Sequence, residues 1–340
     1  MLEEHQTTTD TAMTTETVLD VRNLYTEFPT REGVVKAVNG VSFTLKRGAV
    51  LGIVGESGCG KTMTALSILS LLPFPGRVTQ GEILFNGRDL LTMGKEEMRR
   101  LRGKEIAMVF QDAISGLNPV LPVGAQIEEM VTSHVRVSRS DARKLTMDVL
   151  QRVGMADPER VINQYPFQLS GGMCQRIMLA IALVLEPQVL IADEATTNLD
   201  VTLQAEILRQ LRRMKTERDS SIIIISHDLG VIARMADEVA VMYAGHIVEQ
   251  ADTVSIFHKP AHPYTAGLLK AVTRLDRPGR HLTALPGMPP SLVDLPDQCA
   301  FIPRCYKARN ECRLNPHPPL KEREPGHLAA CYNPVLHDWD

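Results

Sequence analysis

The chain has 340 residues, with 37 Lys and Arg against 40 Asp and Glu, a formal net charge of −3 and no block of one sign. That balance argues against a nucleic-acid-binding surface, which needs a basic stripe. The apolar run at residues 177–185 falls well short of the about 20 residues a membrane-spanning helix requires.

Hydrophobic residues at 44% and charged residues at 23% describe a soluble globular protein of about two domains, or one large domain with an appendage. Residues 1–17 are polar, acidic and threonine-rich, without the basic start and apolar core of a secretory signal, and are expected to form a disordered tail. From residue 18 to about 259, short β-rich runs alternate with helical stretches. Strands are expected at residues 18–24, 34–45, 50–54, 81–86, 106–111, 189–193 and 221–226. Helices are expected from about Lys61, across 123–154, from near Ser170, and over 203–216. This alternation predicts an α/β domain with a mainly parallel sheet. After about Pro260, prolines become dense and periodicity fades, so residues 260–340 read as an irregular appendage.

Two motifs carry nucleotide chemistry. Gly55-Glu56-Ser57-Gly58-Cys59-Gly60-Lys61-Thr62 fits G-x-x-x-x-G-K-[ST], following an apolar strand and opening a helix. Glycines let backbone N–H groups converge on phosphate oxygens without Cβ clashes, and the helix N-terminus adds partial positive charge. Lys61 is then placed to neutralise the β- and γ-phosphates of ATP, and Thr62 to hold Mg²⁺. The nucleotide set stops there. A second threonine at position 63 would extend it, but no nucleotide role is assigned to residue 63, which is Met63. The second motif is a buried strand ending in two acids. Asp193 is the candidate Mg²⁺ partner through water, and Glu194 the candidate general base for the attacking water.

Between them, Leu169-Ser170-Gly171-Gly172 precedes an apolar helix. In this order the chain resembles the ATP-binding-cassette (ABC) ATPases, whose signature is LSGG. The resemblance implies a P-loop cassette: a mainly parallel sheet, an antiparallel β subdomain and a helical signature subdomain at about 112–185. It also implies a shared site, in which Ser170, Gly171 and Gly172 touch the γ-phosphate held by a partner subunit. Gln111 matches the Q-loop glutamine, which senses γ-phosphate and Mg²⁺. His227 matches the switch histidine, and Asn198-Leu199-Asp200 the D-loop at the dimer seam. Phe28 is the candidate aromatic for stacking on adenine, with Tyr25 as alternate. The sequence departs from the family pattern at Ala195, Cys174 and Ala113, none of which removes a catalytic functional group.

His262-Pro263-Tyr264-Thr265 and four late cysteines resemble the C-terminal region of ATPase subunits from oligopeptide, dipeptide and nickel importers. The likeness covers about residues 18–332. It implies a second, different ATPase subunit, two transmembrane permease subunits, an extracytoplasmic solute-binding protein and a seat at the cytoplasmic face of the inner membrane. An ABC ATPase acting on ribosomes or DNA is the alternative. Cys299, Cys305, Cys312 and Cys331 follow a C-x5-C-x6-C-x18-C spacing. They lack the tight knuckles of structural zinc sites. Four thiolates match [4Fe–4S] ligation, which related subunits carry, so a cluster is expected, with zinc or no metal as alternatives.

Overall fold

The computed structural model of the chain describes residues 17–195, 201–271 and 285–335. Twelve strands are present among the described residues. They are β1 Thr17–Thr30, β2 Gly33–Lys46, β3 Val50–Val54, β4 Arg77–Phe85, β5 Arg88–Asp89, β6 Ile106–Val109, β7 Val189–Asp193, β8 Ser221–Ile225, β9 Glu238–Tyr243, β10 His246–Asp252, β11 Lys321–Glu324 and β12 His327–Ala329. They form a four-stranded sheet in the order β2-β1-β4-β5 and an eight-stranded sheet in the order β11-β12-β10-β9-β3-β8-β7-β6. Strands β6, β7, β8, β3 and β9 run parallel. Their carboxyl ends therefore emerge along one edge, where ligands bind in open α/β sheets.

The central strands are buried on both faces, which explains their unbroken apolar sequences. Side chains alternate between faces along a strand, and they divide here between two cores. Leu51, Ile53, Val189, Ile191, Ile223 and Ile225 face the core shared with the antiparallel sheet and the helix Lys61–Ile68. Val50, Val54, Leu190, Ala192, Ile222 and Ile224 face the opposite core, with the helices Gly171–Leu183 and Leu229–Met235.

The predicted helical stretch at 123–154 is two helices, Val123–His134 and Arg139–Arg152. The break is set at Ser138, whose extended backbone places its hydroxyl to accept from the Asp141 N–H at 3.1 Å, an N-cap. Strand β4 begins at Arg77, earlier than the expected start at 81, because it pairs along β1 as far as Glu27. The C-terminal appendage is irregular over much of its described length, but β11 and β12 add two strands to the central sheet beyond β10. A fully buried Glu249 on β10 ties it down: its carboxylate accepts from the N–H groups of Ala261 and His262 and from His327 Nε2. Of the tail expected at residues 1–17, Thr17 opens β1, and the rest lies outside the described residues, as does the motif Asn198-Leu199-Asp200. Among the described residues no helix is long and apolar enough to cross a membrane.

Candidate active site

The glycine loop links β3 to the helix Lys61–Ile68. Gly55 and Gly60 sit at φ +153° and +108°; a Cβ on Gly55 would lie 2.2 Å from the Met242 carbonyl, and one on Gly60 2.3 Å from the Ala37 carbonyl. No other residue fits this path. Lys61 is buried and donates to the Gly55 carbonyl at 2.8 Å and the Glu56 carbonyl at 3.0 Å. Its ammonium thus lies within the curve of the loop, held by two carbonyls that polyphosphate oxygens can replace. Ser57 and Gly58 are exposed at the outer turn, whereas Cys59 is buried. Residue 63 is Met63 and takes no part in nucleotide binding. Met63 has no hydroxyl to offer a phosphate or Mg²⁺. Its side chain is half-buried against the core shared with the antiparallel sheet, and its carbonyl accepts from Ser67 Oγ at 2.6 Å within the helix. Residue 63 therefore serves packing, and Thr62 is the last side chain of the loop motif that can reach a ligand.

Asp193, at the end of β7, is buried, and its Oδ1 has no hydrogen-bond partner. Burial raises the carboxyl's pKa above the ordinary range; the Thr62 hydroxyl, hydrogen-bonded to it, and the Lys61 charge oppose that shift, while the neighbouring Glu194 charge adds to it. A buried carboxylate oxygen without a donor, beside a threonine hydroxyl at the mouth of the loop, fits the oxygen donor set of a hydrated Mg²⁺. Glu194 follows with φ +48°, a left-handed conformation costing about 1–3 kcal/mol for a non-glycine residue. Its N–H donates to the Ile225 carbonyl at 2.9 Å, which locks the turn onto β8.

That turn aims the Glu194 carboxylate between two neighbours. Gln111 Nε2, just past β6, donates to Oε2 at 2.7 Å, and His227 Nδ1, just past β8, lies 3.5 Å from Oε1. The structure thus brings Gln111, Glu194 and His227 together along the sheet edge, and Thr62 and Asp193 together at the loop. His227 is oriented by its flanks: Ser226 Oγ accepts from the Asp228 N–H, and Asp228 Oδ1 caps the helix Leu229–Met235. Ala195 and Gln175 close the floor through a 2.8 Å bond from Gln175 Nε2 to the Ala195 carbonyl. Ala113 and Cys174 are buried in the core, so these departures from the family pattern are packing changes.

Ser170 and Gly171 are exposed, and Gly172 is half-buried, at the N-terminus of the helix Gly171–Leu183, where Ser170 Oγ accepts from the Met173 N–H at 3.3 Å. Among the described residues no hydrogen bond joins this helix end to the glycine loop. Phe28 is half-buried near the end of β1 with its ring over the Gly76 backbone. Tyr25, three residues earlier, rests its hydroxyl on Gly40 instead.

Two further residues at the site carry little signal in the sequence. Tyr264 Oη accepts from the Glu56 N–H at 2.9 Å, and Arg304 makes a two-pronged ion pair with the Glu56 carboxylate at 2.6 and 2.9 Å. The sequence signal for Tyr264 is the His262–Thr265 motif, which by itself marks only the family likeness. Arg304 has none beyond its place among the cysteines.

Cys299, Cys305, Cys312 and Cys331 line one cavity of about 10 Å³, room for a single water. Burial pushes the Cys299 thiol up to about 11 and the Cys331 thiol up to about 12, with smaller contributions from the neighbouring thiols. The metal expectation is corrected in one respect: among the described residues no group of three or more His, Cys, Asp or Glu is gathered to hold a metal ion. The thiols converge without forming a finished ligand set.

Residues 38–197 match the ABC transporter family, and residues 248–312 match the C-terminal region of oligopeptide/dipeptide transporters. Across 319 residues the chain is 48% identical to the dipeptide transport ATP-binding protein DppD of Bacillus subtilis, covering 93% of this chain and 95% of that protein. The chain belongs to the oligopeptide/dipeptide branch of the ABC transporter ATPases. The oligopeptide transport ATP-binding protein OppD of Salmonella typhimurium is 44% identical over 330 residues, covering 97% of this chain and 98% of that one. A dimeric ATP-binding cassette bound to ADP and Pi shares the fold, with a TM-score of 0.63 at 24% identity over 69% of this chain and 98% of its own. The cassette cbiO1 of Clostridium perfringens superposes with a TM-score of 0.61 at 28% identity over 72% of this chain and 92% of its own. This ABC ATPase binds ATP, hydrolyses it and drives transport; the ribosome- or DNA-directed alternative is set aside.

Proposed function

We propose that this ABC ATPase energises uptake of peptides. It would do so as one of two different ATPase subunits beneath two permease subunits at the cytoplasmic face of the inner membrane, with an extracytoplasmic binding protein delivering the cargo. The observation that carries this reading is the match of residues 248–312 to the oligopeptide/dipeptide C-terminal region. Further support comes from an apolar strip of exposed side chains beside Gln111, namely Phe110, Ile114, Val120 and Leu121, which offers a permease a contact next to the hydrolytic residues. Removing the gene is expected to abolish uptake of labelled di- and oligopeptides by intact cells and to leave nickel uptake unchanged. Lost nickel uptake with unaltered peptide uptake would reassign the cargo.

Each residue then has a role at the site. The N–H groups of Gly58, Cys59 and Gly60 and the Lys61 ammonium bind the phosphates, and Phe28 stacks on adenine. Thr62 and Asp193 would hold Mg²⁺, with Gln111 reaching toward it, and the bound ion would supply positive charge against the phosphates. Glu194 takes a proton from the water that attacks the γ-phosphorus, and the bridging oxygen leaves with ADP. His227 contacts the γ-phosphate. Ser170, Gly171 and Gly172 complete the partner's site, because their helix N-terminus presents N–H groups to an anion.

The same reading assigns a [4Fe–4S] cluster to Cys299, Cys305, Cys312 and Cys331. Four thiols around one cavity supply the donor kind and number, and the cavity must open to admit the cluster. Protein purified without oxygen is expected to carry iron and acid-labile sulfide at about four of each per chain, and to lose both together when Cys312 and Cys331 are replaced by serine. Colourless protein with stoichiometric zinc would sink the assignment.

A further inference from the structure

Glu56 is an acid in the loop that must surround a polyphosphate. An uncompensated carboxylate there opposes ATP electrostatically. The structure compensates it from the C-terminal extension. Arg304 Nη1 and Nη2 donate to the two carboxylate oxygens at 2.6 and 2.9 Å. This two-pronged geometry is the strongest and most directional that arginine makes with a carboxylate. The Arg304 side chain is only 4% exposed, against 24% for Glu56. Burial of the guanidinium is supported on every side: Nε donates to the Pro286 carbonyl at 2.9 Å, and Cζ lies 5.8 Å from the Tyr243 ring centroid and 6.0 Å from that of Phe301.

Tyr264 adds a second hold. Its hydroxyl accepts from the Glu56 N–H at 2.9 Å, and its ring packs against Tyr243 and Phe301 at 4.6 and 5.4 Å between centroids. Pro263 starts this short helix, and His262 Nδ1 accepts from the Tyr264 N–H at 3.0 Å, which fixes where the tyrosine stands. Glu56 is thus held at three points. Its carbonyl accepts from Lys61 within the cassette, while its N–H and carboxylate are held by the extension. The extension also grips β2, where the Lys36 N–H donates to the Leu292 carbonyl and the Val34 N–H to Asp294 Oδ1.

We propose that Arg304 and Tyr264 are positioning residues for nucleotide binding: the extension neutralises and fixes Glu56, and so raises the affinity of the glycine loop for polyphosphate. Arg304 is the residue before Cys305, so the cysteine loop and the phosphate loop are joined through one side chain. The test is equilibrium binding of Mg–ATP to the full chain, with the thermal midpoint of each variant as a check on folding. Arg304→Met is expected to weaken ATP by roughly tenfold or more, the effect of one unbalanced charge at a partly screened site. Glu56→Gln, which removes the charge needing compensation, is expected to bind ATP as tightly as the unaltered chain or more tightly. The double variant Arg304→Met/Glu56→Gln is expected to recover to within about threefold. Arg304→Lys, which keeps the charge but cannot span both oxygens, is expected to fall in between. It also serves if Arg304→Met does not fold. Unchanged ATP affinity in the arginine variants would overturn the proposal. So would weaker ATP binding in Glu56→Gln, or a double variant no better than Arg304→Met, because the proposal requires that relieving the unbalanced Glu56 charge restore the affinity; a loss of affinity that follows the thermal midpoint instead would mean that the ion pair serves only the fold.

Discussion

Glu194→Gln is expected to leave ATP binding in place and to lower hydrolysis by roughly 10²–10⁴, the usual worth of a general base. The substitution preserves nearly everything but the base. Glutamine has the shape of glutamate, its carbonyl oxygen can still accept from Gln111 Nε2, and the N–H bond to the Ile225 carbonyl is untouched. The left-handed backbone at φ +48° is already imposed by that turn and does not depend on charge. What is lost is the oxygen able to take a proton from water. Single-turnover hydrolysis in the assembled transporter, beside a filter assay for retained ATP, separates the two quantities. Turnover within a few-fold of normal would remove Glu194 from its role, and loss of ATP binding would mean that the carboxylate serves the loop instead. Gln111 and His227 only border the carboxylate in this structure, so their replacement by alanine is expected to cost less.

Most of this site is legible in the sequence for a physical reason. Parallel central strands must be apolar on both faces, so 50–54, 189–192 and 222–225 appear as unbroken runs, and the one or two residues after each run land on the same edge of the sheet. Gly55, Asp193, Glu194 and His227 are found by that rule, and Gln111 by the shorter run at 106–109. Strands exposed on one side are harder to see. The first hairpin extends to Thr30 and Lys46 with repeated bulges that break the alternation, and β11 is a wholly polar Lys-Glu-Arg-Glu segment that pairs only because β12 lies beside it. Least legible is the grip of the extension on the glycine loop. Arg304 and Glu56 are 248 positions apart and Tyr264 and Glu56 are 208 apart. No periodicity or local motif reports contacts of that range; only the folded chain shows that a loop acid has its counter-charge in the appendage.

The signature motif offers a test of a different kind, because its partner is on another chain. Gly171 is exposed, and a Cβ added there would meet nothing within 4 Å. Helix N-termini also favour acidic side chains. Gly171→Asp is therefore expected to fold normally and to leave the thermal midpoint unchanged or slightly raised. ATP affinity of the isolated chain should be unaltered as well, since Lys61, Thr62 and Asp193 lie on separate elements. In the assembled transporter the same carboxylate would stand where the partner's γ-phosphate must come, replacing N–H groups aimed at an anion with a like charge. Hydrolysis at that composite site is expected to fall by about 10²-fold or more, the scale of losing one preorganised donor to the transferring group. Mixed assemblies sharpen the outcome. With two different ATPase subunits, Gly171→Asp should disable the composite site built on the partner's glycine loop and spare the one built on Lys61 of this chain. A variant that instead loses ATP affinity as an isolated chain would place Gly171 at its own nucleotide. Full hydrolysis at the site on the partner's glycine loop would mean that the helix end does not meet phosphate at all, and the shared-site reading of Ser170–Gly172 would have to be abandoned.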